Sequence, residues 1–233
     1  GTRGPGESQI ETDRRIIGKK IQRLKLKTEQ VRKQRLLYRQ RRQRTGIPIV
    51  ALVGYTNTGK STLLNALSKA DVFVENKLFA TLDPTTRRLT LPDKSTVLVT
   101  DTVGFIRKLP PTIVTAFRAT LEELSEASVL VHVVDFSSPE ADKQCQAVEH
   151  ILADLDLIDK PRITALNKID RLLDNSRKWD EDAALNYFSA QAPVDPNTAL
   201  ISAGKKWGLN GLRELISQTI TRTATSEILN ANL

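Results

Sequence analysis

The sequence predicts an α/β fold: a doubly wound, mostly parallel six-stranded sheet preceded by a long basic α-helix. Three observations carry this expectation. Six short apolar, β-rich runs recur between residues 49 and 202, and helical patterns separate most of them. The most apolar runs lack polar alternation, as expected of parallel strands covered on both faces. Ahead of them, residues 9–44 contain no proline and a single glycine, Gly18, in a stretch dense in Lys, Arg, Gln and Glu.

The elements follow in chain order. Residues 1–8, GTRGPGES, hold too much Gly and Pro for regular structure. Residues 9–44 read as one helix, about 54 Å long at the usual rise per residue. Alternating three- and four-residue steps pass through Ile10, Arg14, Ile17, Ile21, Leu24, Thr28, Val31, Arg35 and Tyr38, and six of these nine are apolar, the pattern of a seam against a partner helix. Thr45-Gly46-Ile47-Pro48 ends the helix and sets the expected division into residues 1–46, a domain over 47–222, and a polar tail over 223–233. Strands are expected at 49–54, 87–91, 95–101, 128–135, 162–167 and 198–202. Helices are expected near 60–69, 112–126, 139–155, 178–190 and 210–222. The 87–91 and 95–101 runs, joined by Pro92-Asp93-Lys94, read as a hairpin that adds one antiparallel edge strand. In such a sheet the ligand lies at the carboxyl ends of the strands.

Composition narrows the class. Only 5% of residues are aromatic, so the core should be aliphatic. The single cysteine, Cys145, excludes an internal disulfide and reads as a small packing residue rather than a nucleophile. No run reaches the 18 to 20 or so apolar residues that cross a bilayer, and nothing resembles a signal peptide. A glycine start and the absence of methionine read as a piece of a longer protein. The expected location is the cytoplasm, or an organelle matrix if a targeting peptide precedes the piece. Of the net charge of +8, residues 1–46 carry +11, from 15 Lys/Arg against four Asp/Glu, and the remainder carries −3. The basic segment reads as a solvated helix or as an arm lying on a polyanion, and the charge excess favours the arm.

The chemistry sits at strand ends. GYTNTGKS, Gly54 to Ser61, matches G-x-x-x-x-G-K-[ST] after an apolar strand and at the start of a helix. Its glycines let the backbone wrap a phosphate chain, and successive N–H groups with the helix N-terminus face the negative charge. Gly54, Asn57, Thr58, Gly59, Lys60, Ser61 and Thr62 form the expected phosphate-binding set. Lys60 should reach the β and γ phosphates, and the Ser61 hydroxyl should bind Mg²⁺. Asn167-Lys168-Ile169-Asp170 then selects the base. The Asp170 carboxylate can accept from the N1–H and exocyclic amine of guanine, whereas adenine would leave it unpaired. Asn167 can brace the loop and approach the base, and the Lys168 stem can lie along the base ring. Ser202-Ala203-Gly204 is expected to aim a backbone N–H at the guanine oxygen.

Asp101-Thr102-Val103-Gly104 closes the third strand. Asp101 should hold Mg²⁺ through a water, and the Gly104 N–H should sense the γ-phosphate. A threonine from LFATLDPTTRR, residues 78–88, must complete the metal shell, and Thr81, Thr85 and Thr86 all qualify by type. Arg87 and Arg88 invite the idea of an internal arginine finger, although their place on a strand favours a surface or RNA contact. His132 lies in an apolar strand and reads as structural; His150 reads as helix surface. Phe105 follows Gly104 where related enzymes place a residue that orients water, and a phenyl ring cannot make that hydrogen bond.

In this order the motifs resemble the G domains of the translational GTPase superclass. GTRGPGESQIETDRR, GYTNTGKST, LFATLDPTTRR and DTVGFIRKLP resemble the HflX family of ribosome-associated GTPases, over residues 1 to about 222. The resemblance implies a Ras-like P-loop G domain behind a glycine-rich segment and long helix. It implies Mg²⁺ and GTP/GDP as cofactor, substrate and product. It also implies the large ribosomal subunit and its rRNA as partners, and GTP-dependent separation of ribosomal subunits. It selects Thr81 as the Mg²⁺-binding switch threonine and places Phe79, in the same string, among the nucleotide contacts. It also implies a hydrophobic residue at Phe105 as a family feature. Catalysis would then rest on Lys60, Thr81 and Gly104, with slow intrinsic turnover stimulated by the ribosome. Most of the family's N-terminal domain, and a C-terminal extension, are expected to lie outside this sequence. The chain is expected to act as a monomer. Two other readings stay open: a GTP-gated RNA-binding module with negligible hydrolysis, and a nucleotide-dependent RNA remodeller, the latter disfavoured by the guanine-selecting Asp170.

Overall fold

The computed structural model describes residues 11–30, 46–68, 85–102, 104–105, 124–174, 176–191 and 195–231. The chain divides into two compact units, Gly1–Ile47 and Pro48–Leu233. In the first, residues 11–30 form helix α1. Its Ile16, Ile17, Ile21, Leu24 and Leu26 are exposed, so the apolar side chains on this helix are left open. The rest of the expected 9–44 helix lies outside the described residues.

The second unit is built on six strands: β1 (Ile49–Val53), β2 (Thr85–Thr90), β3 (Thr96–Asp101), β4 (Val129–Asp135), β5 (Arg162–Asn167) and β6 (Thr198–Leu200). Their order across the sheet is β2-β3-β1-β4-β5-β6. Every pairing is parallel except β2 with β3. β1 therefore has β3 on one side and β4 on the other, and the carboxyl end of β1 is the point where strand order reverses. This is where an open α/β sheet forms its ligand crevice. The β2–β3 hairpin turns through Lys94, whose φ of 67° is left-handed, and closes with Leu91 N–H donating to Ser95 O at 2.9 Å.

Among the described residues, the α-helices of this unit with defined bounds are α2 (Lys60–Ser68), α3 (Ala141–Asp154), α4 (Glu181–Gln191) and α5 (Leu209–Ala231). Alternate residues of the central strands feed two cores. Val50 and Leu52 of β1, with Val129, Val131 and Val133 of β4, pack with Leu63, Leu64 and Leu67 of α2 and Leu212 and Ile216 of α5. Ile49, Ala51 and Val53 face the other way, with Leu130 of β4, Val148 and Leu152 of α3, Leu124 and Phe105. Burial on both faces explains the unbroken apolar runs, and truncating fully buried Leu52 to Ala should cost about 2–5 kcal/mol.

Two differences from the sequence expectation stand out. The last helix does not end near residue 222 but continues to Ala231, through most of the polar tail. Thr219, Thr221, Thr223 and Thr225 each donate a hydroxyl hydrogen to the carbonyl four residues earlier, at 2.7–3.0 Å, so these hydroxyls are satisfied within the helix itself. β2 also begins two residues earlier than expected, at Thr85, which pairs with Asp101. Of the expected 112–126 helix, residues 112–123 lie outside the described residues.

Candidate nucleotide-binding site

The loop between β1 and α2 turns back on itself through two left-handed residues, Asn57 (φ 61°) and Gly59 (φ 96°). Gly59 is required twice over, because an added Cβ would also collide with the Asn167 amide nitrogen. Thr58, buried, donates its hydroxyl hydrogen to Tyr55 O at 3.0 Å and pins the turn. The first helical hydrogen bond of α2 runs from Leu63 N to Gly59 O at 2.8 Å. The N–H groups of Gly59, Lys60, Ser61 and Thr62 therefore precede the helix ladder and face the crevice end, a ready anion cradle.

Lys60 lies folded under this loop, 6% exposed. Its ammonium donates to Tyr55 O at 2.8 Å and Gly54 O at 3.2 Å. Burial lowers its pKa to about 8, against a smaller opposing pull from Asp101. A phosphate placed in the cradle would supply the counter-charge that the two carbonyls supply only partially.

Ser61 Oγ donates to Asp101 Oδ2 at 2.5 Å, which brings the two residues expected at a metal into contact. Both offer hard oxygen, the donor type that suits Mg²⁺. Among the described residues no group of three or more His, Cys, Asp or Glu is placed to hold a metal alone. A Mg²⁺ bound here would take further ligands from phosphate and water, as that ion prefers. Thr81 and Phe79 lie outside the described residues. Thr86 shares a 3.0 Å hydroxyl hydrogen bond with Thr100 in the hairpin. Arg87 is half-buried and Arg88 exposed, both within β2.

The segment after β3 closes against the loop. Thr102 Oγ1 donates to Leu52 O at 2.6 Å. Phe105 N donates to Gly54 O at 3.0 Å, and Thr56 N donates to Phe105 O at 2.8 Å, a short parallel bridge beside the phosphate loop. An added Cβ at Gly104 would sit 2.7 Å from Thr56 Cα and 3.0 Å from Lys60 Nζ, so only glycine permits this approach. The Phe105 ring is 2% exposed and belongs to the core on the α3 face.

The downstream motifs converge on the same loop. Asn167, at the end of β5 and 2% exposed, donates from Nδ2 to Thr58 O at 2.8 Å and accepts from Ala203 N at 3.0 Å. One side chain thus ties the phosphate loop to the Ser202-Ala203-Gly204 loop. The Ala203 N–H is engaged by Asn167, so a base oxygen would have to share it. Ser202, fully buried, accepts at Oγ from Lys205 N at 3.1 Å and exchanges backbone hydrogen bonds with Trp207. Lys168, left-handed at φ 67°, sends its ammonium to Asn57 O at 2.8 Å and to Asp135 Oδ2 at 2.6 Å. Asp170 follows in a short 3-10 turn, Ile169–Leu172, and is half-buried.

Asp135, which closes β4, is the residue that sequence reading passed over. A carboxylate at the carboxyl end of a buried parallel strand is itself the signal, since that is where ligand-facing groups collect. The other titratable candidates have no such placement. His132 is buried in β4, and burial, then Arg162, push its pKa down to about 4, so it stays neutral. His150 is exposed on α3, and burial, then Asp142 and Glu149, raise the Cys145 pKa, which disfavours a thiolate.

Sheet order, phosphate loop and base-selecting motif together define a P-loop GTPase. The family model described as 50S ribosome-binding GTPase matches residues 49–168, just over half of the chain, and one described as GTP-binding GTPase Middle Region matches residues 1–42. The protein named GTPase HflX from Caldanaerobacter subterraneus subsp. tengcongensis is 57% identical over 172 residues, 74% of this chain and 40% of its own length. GTPase HflX from Chlamydia pneumoniae is 47% identical over 234 residues, 98% of this chain and 46% of its own length. The chain belongs to the HflX family of GTPases, and it spans less than half the length of these curated relatives. A crystal structure of a GTP-binding protein from Sulfolobus solfataricus in complex with GDP matches with a TM-score of 0.57 and 30% identity, over 81% of this chain and 57% of that one. No helix among the described residues is long and apolar enough to cross a membrane.

Proposed function

We propose that this chain binds GTP with Mg²⁺, hydrolyses it to GDP and phosphate, and acts as a nucleotide-driven switch on the large ribosomal subunit. The observation that carries the reading is Asn167, whose one buried amide joins the phosphate loop to the loop that faces the base. In this reading Lys60 leaves its two loop carbonyls for the β and γ phosphates. Ser61 and Thr81 ligate the metal, with Asp101 behind a water, and the Gly104 N–H meets the γ-phosphate. Mg²⁺ would supply charge neutralisation at the phosphates. Asp170 takes the guanine edge, and the loop Ser202–Gly204 its oxygen.

Competition tests the base assignment. GDP and GTP should displace a fluorescent GDP from the chain, and ATP at the same concentration should not; displacement by ATP would refute the role of Asp170. The ribosomal role draws on the name of the matched family and on the +11 carried by residues 1–46, which suits rRNA phosphates. Separation of ribosomal subunits by the GTP-bound form is the working output of the switch. The division into a basic segment over residues 1–46 and a G domain over 47–222 is part of the same proposal, with cytoplasmic location and a monomeric state.

The buried ring of Phe105 favours a second reading, in which GTP occupancy alone gates RNA binding. A phenyl side chain 2% exposed in the core orients no water. What remains for hydrolysis is Lys60, the metal and the Gly104 backbone, a set that charge-stabilises the transition state but leaves water to be positioned by a partner. Phosphate release in a single turnover, with and without ribosomes, separates the two readings.

A further inference from the structure

The geometry points to Asp135 as a positioning residue for Lys168, and through it as a determinant of guanine-nucleotide affinity; the inference rests on the reading that this site binds guanine nucleotide. Lysine is the least pre-organised of the groups at the site. A free lysine side chain samples many rotamers, most of them lost if its stem must lie flat along a base. Here that loss is taken before any ligand arrives. The ammonium is anchored on one side by Asn57 O at 2.8 Å and on the other by Asp135 Oδ2 at 2.6 Å. Lys168 and Asp135 are only 15% and 16% exposed at the side chain, so the pair is screened less than a surface bridge.

Asp135 is itself held. Its Oδ1 accepts from Ser137 Oγ at 2.6 Å and Ser137 N at 3.2 Å, which leaves Oδ2 aimed at the ammonium. Phe136 N donates to Asn167 O at 2.9 Å, fixing the β4 end against the β5 end that carries Lys168. The left-handed backbone at Lys168 is an uncommon and strained conformation for a residue with a side chain. It turns the stem back across the loop between the two anchors. Removing Asp135 leaves the Asn57 carbonyl as the remaining anchor, and the stem regains rotamers that binding must then freeze again.

The test is a double-mutant cycle on the full 233-residue chain. Dissociation constants and release rates of a fluorescent GDP are measured for the unaltered chain, Asp135→Ala, Lys168→Met and the double variant. Urea midpoints of the nucleotide-free proteins are measured in parallel. Asp135→Ala should weaken GDP binding about tenfold, mainly through faster release, the size expected of a lost charge-assisted hydrogen bond. In the Lys168→Met background, which keeps an aliphatic stem but has no ammonium to aim, the same change should matter less than about twofold. Asp135→Asn, which retains an acceptor for Ser137, supplies the same comparison if the alanine variant unfolds too early. An equal loss in both backgrounds, or no loss in either, overturns the positioning role while leaving GDP binding by the unaltered chain intact. Failure of the unaltered chain to bind GDP would instead remove the nucleotide reading, and this inference with it.

Discussion

Asn167→Ala is the perturbation that most directly probes how the site is held together. The side chain is 2% exposed, donates to Thr58 O at 2.8 Å and accepts from Ala203 N at 3.0 Å. Each hydrogen bond is worth about 1 kcal/mol net, and the larger effect comes from the two backbone groups left behind. A buried carbonyl at Thr58 and a buried N–H at Ala203 would each lose a partner, at about 1–3 kcal/mol apiece unless water enters. With partial hydration of the vacated space, about 3 kcal/mol of lost stability is expected for the nucleotide-free chain. Urea unfolding measures this as a lower midpoint at unchanged slope. Asn167→Asp sharpens the test. It keeps the acceptor for Ala203 but sets a carboxylate against the Thr58 carbonyl, so it should destabilise at least as much at neutral pH. It should then recover as pH falls and the protonated acid regains a donor. A loss below about 1 kcal/mol for Asn167→Ala, or no pH dependence for Asn167→Asp, would refute the claim that this side chain ties the two loops.

Other consequences follow from the same geometry. Lys60→Ala should abolish tight GTP binding, and unaltered affinity in an equilibrium titration would show that the phosphates lie elsewhere. Because burial lowers the Lys60 pKa from 10.5 to about 8, the unfolded chain binds more protons than the folded one between those values, and the stability of the nucleotide-free protein should rise with pH across that window. Phosphate favours the ammonium, so GDP binding at pH 8.5 should take up roughly three quarters of a proton, read by calorimetry in buffers of different ionisation heat; zero uptake would count against the buried lysine. Phe105→Ala should preserve GDP affinity and basal hydrolysis while lowering stability by about 3–4 kcal/mol; complete loss of turnover would mean the ring shapes the water pocket. Pelleting with ribosomes should weaken steeply with salt and with deletion of residues 1–46, and undiminished binding after that deletion would exclude the basic segment as a contact.

The sheet was legible because its information is local. β1 is wholly apolar, and β4 is apolar apart from His132 and the terminal Asp135, because both of their faces are buried, and the phosphate-loop pattern depends on glycines whose backbone demands are fixed by geometry. Asn167, Lys168 and Asp170 were expected at a base from their chemistry, and the structure brings Asn167 and Lys168 onto the phosphate loop. What could not be read was pairing at long range. Lys168 meets Asn57 across 111 positions and Asp135 across 33, and no pattern in either segment names its partner. Likewise, the sequence marks Phe105 as a ring in place of a polar side chain. It does not show that the backbone of that residue zips onto Gly54 and Thr56 and thereby carries the ring into the core. The long final helix was hidden for a third reason: beyond residue 222 its sequence is polar and threonine-rich, with no apolar stripe to mark the element.

The proposed switch carries its hydrolytic groups but needs a partner to position water. Single-turnover hydrolysis of pre-bound GTP, timed by phosphate release with and without large ribosomal subunits, tests it most directly. Slow release by the chain alone and a clear acceleration by the subunit, lost in Lys60→Ala, are expected. No phosphate release under either condition, with GTP demonstrably bound, would contradict it and leave nucleotide occupancy as the signal.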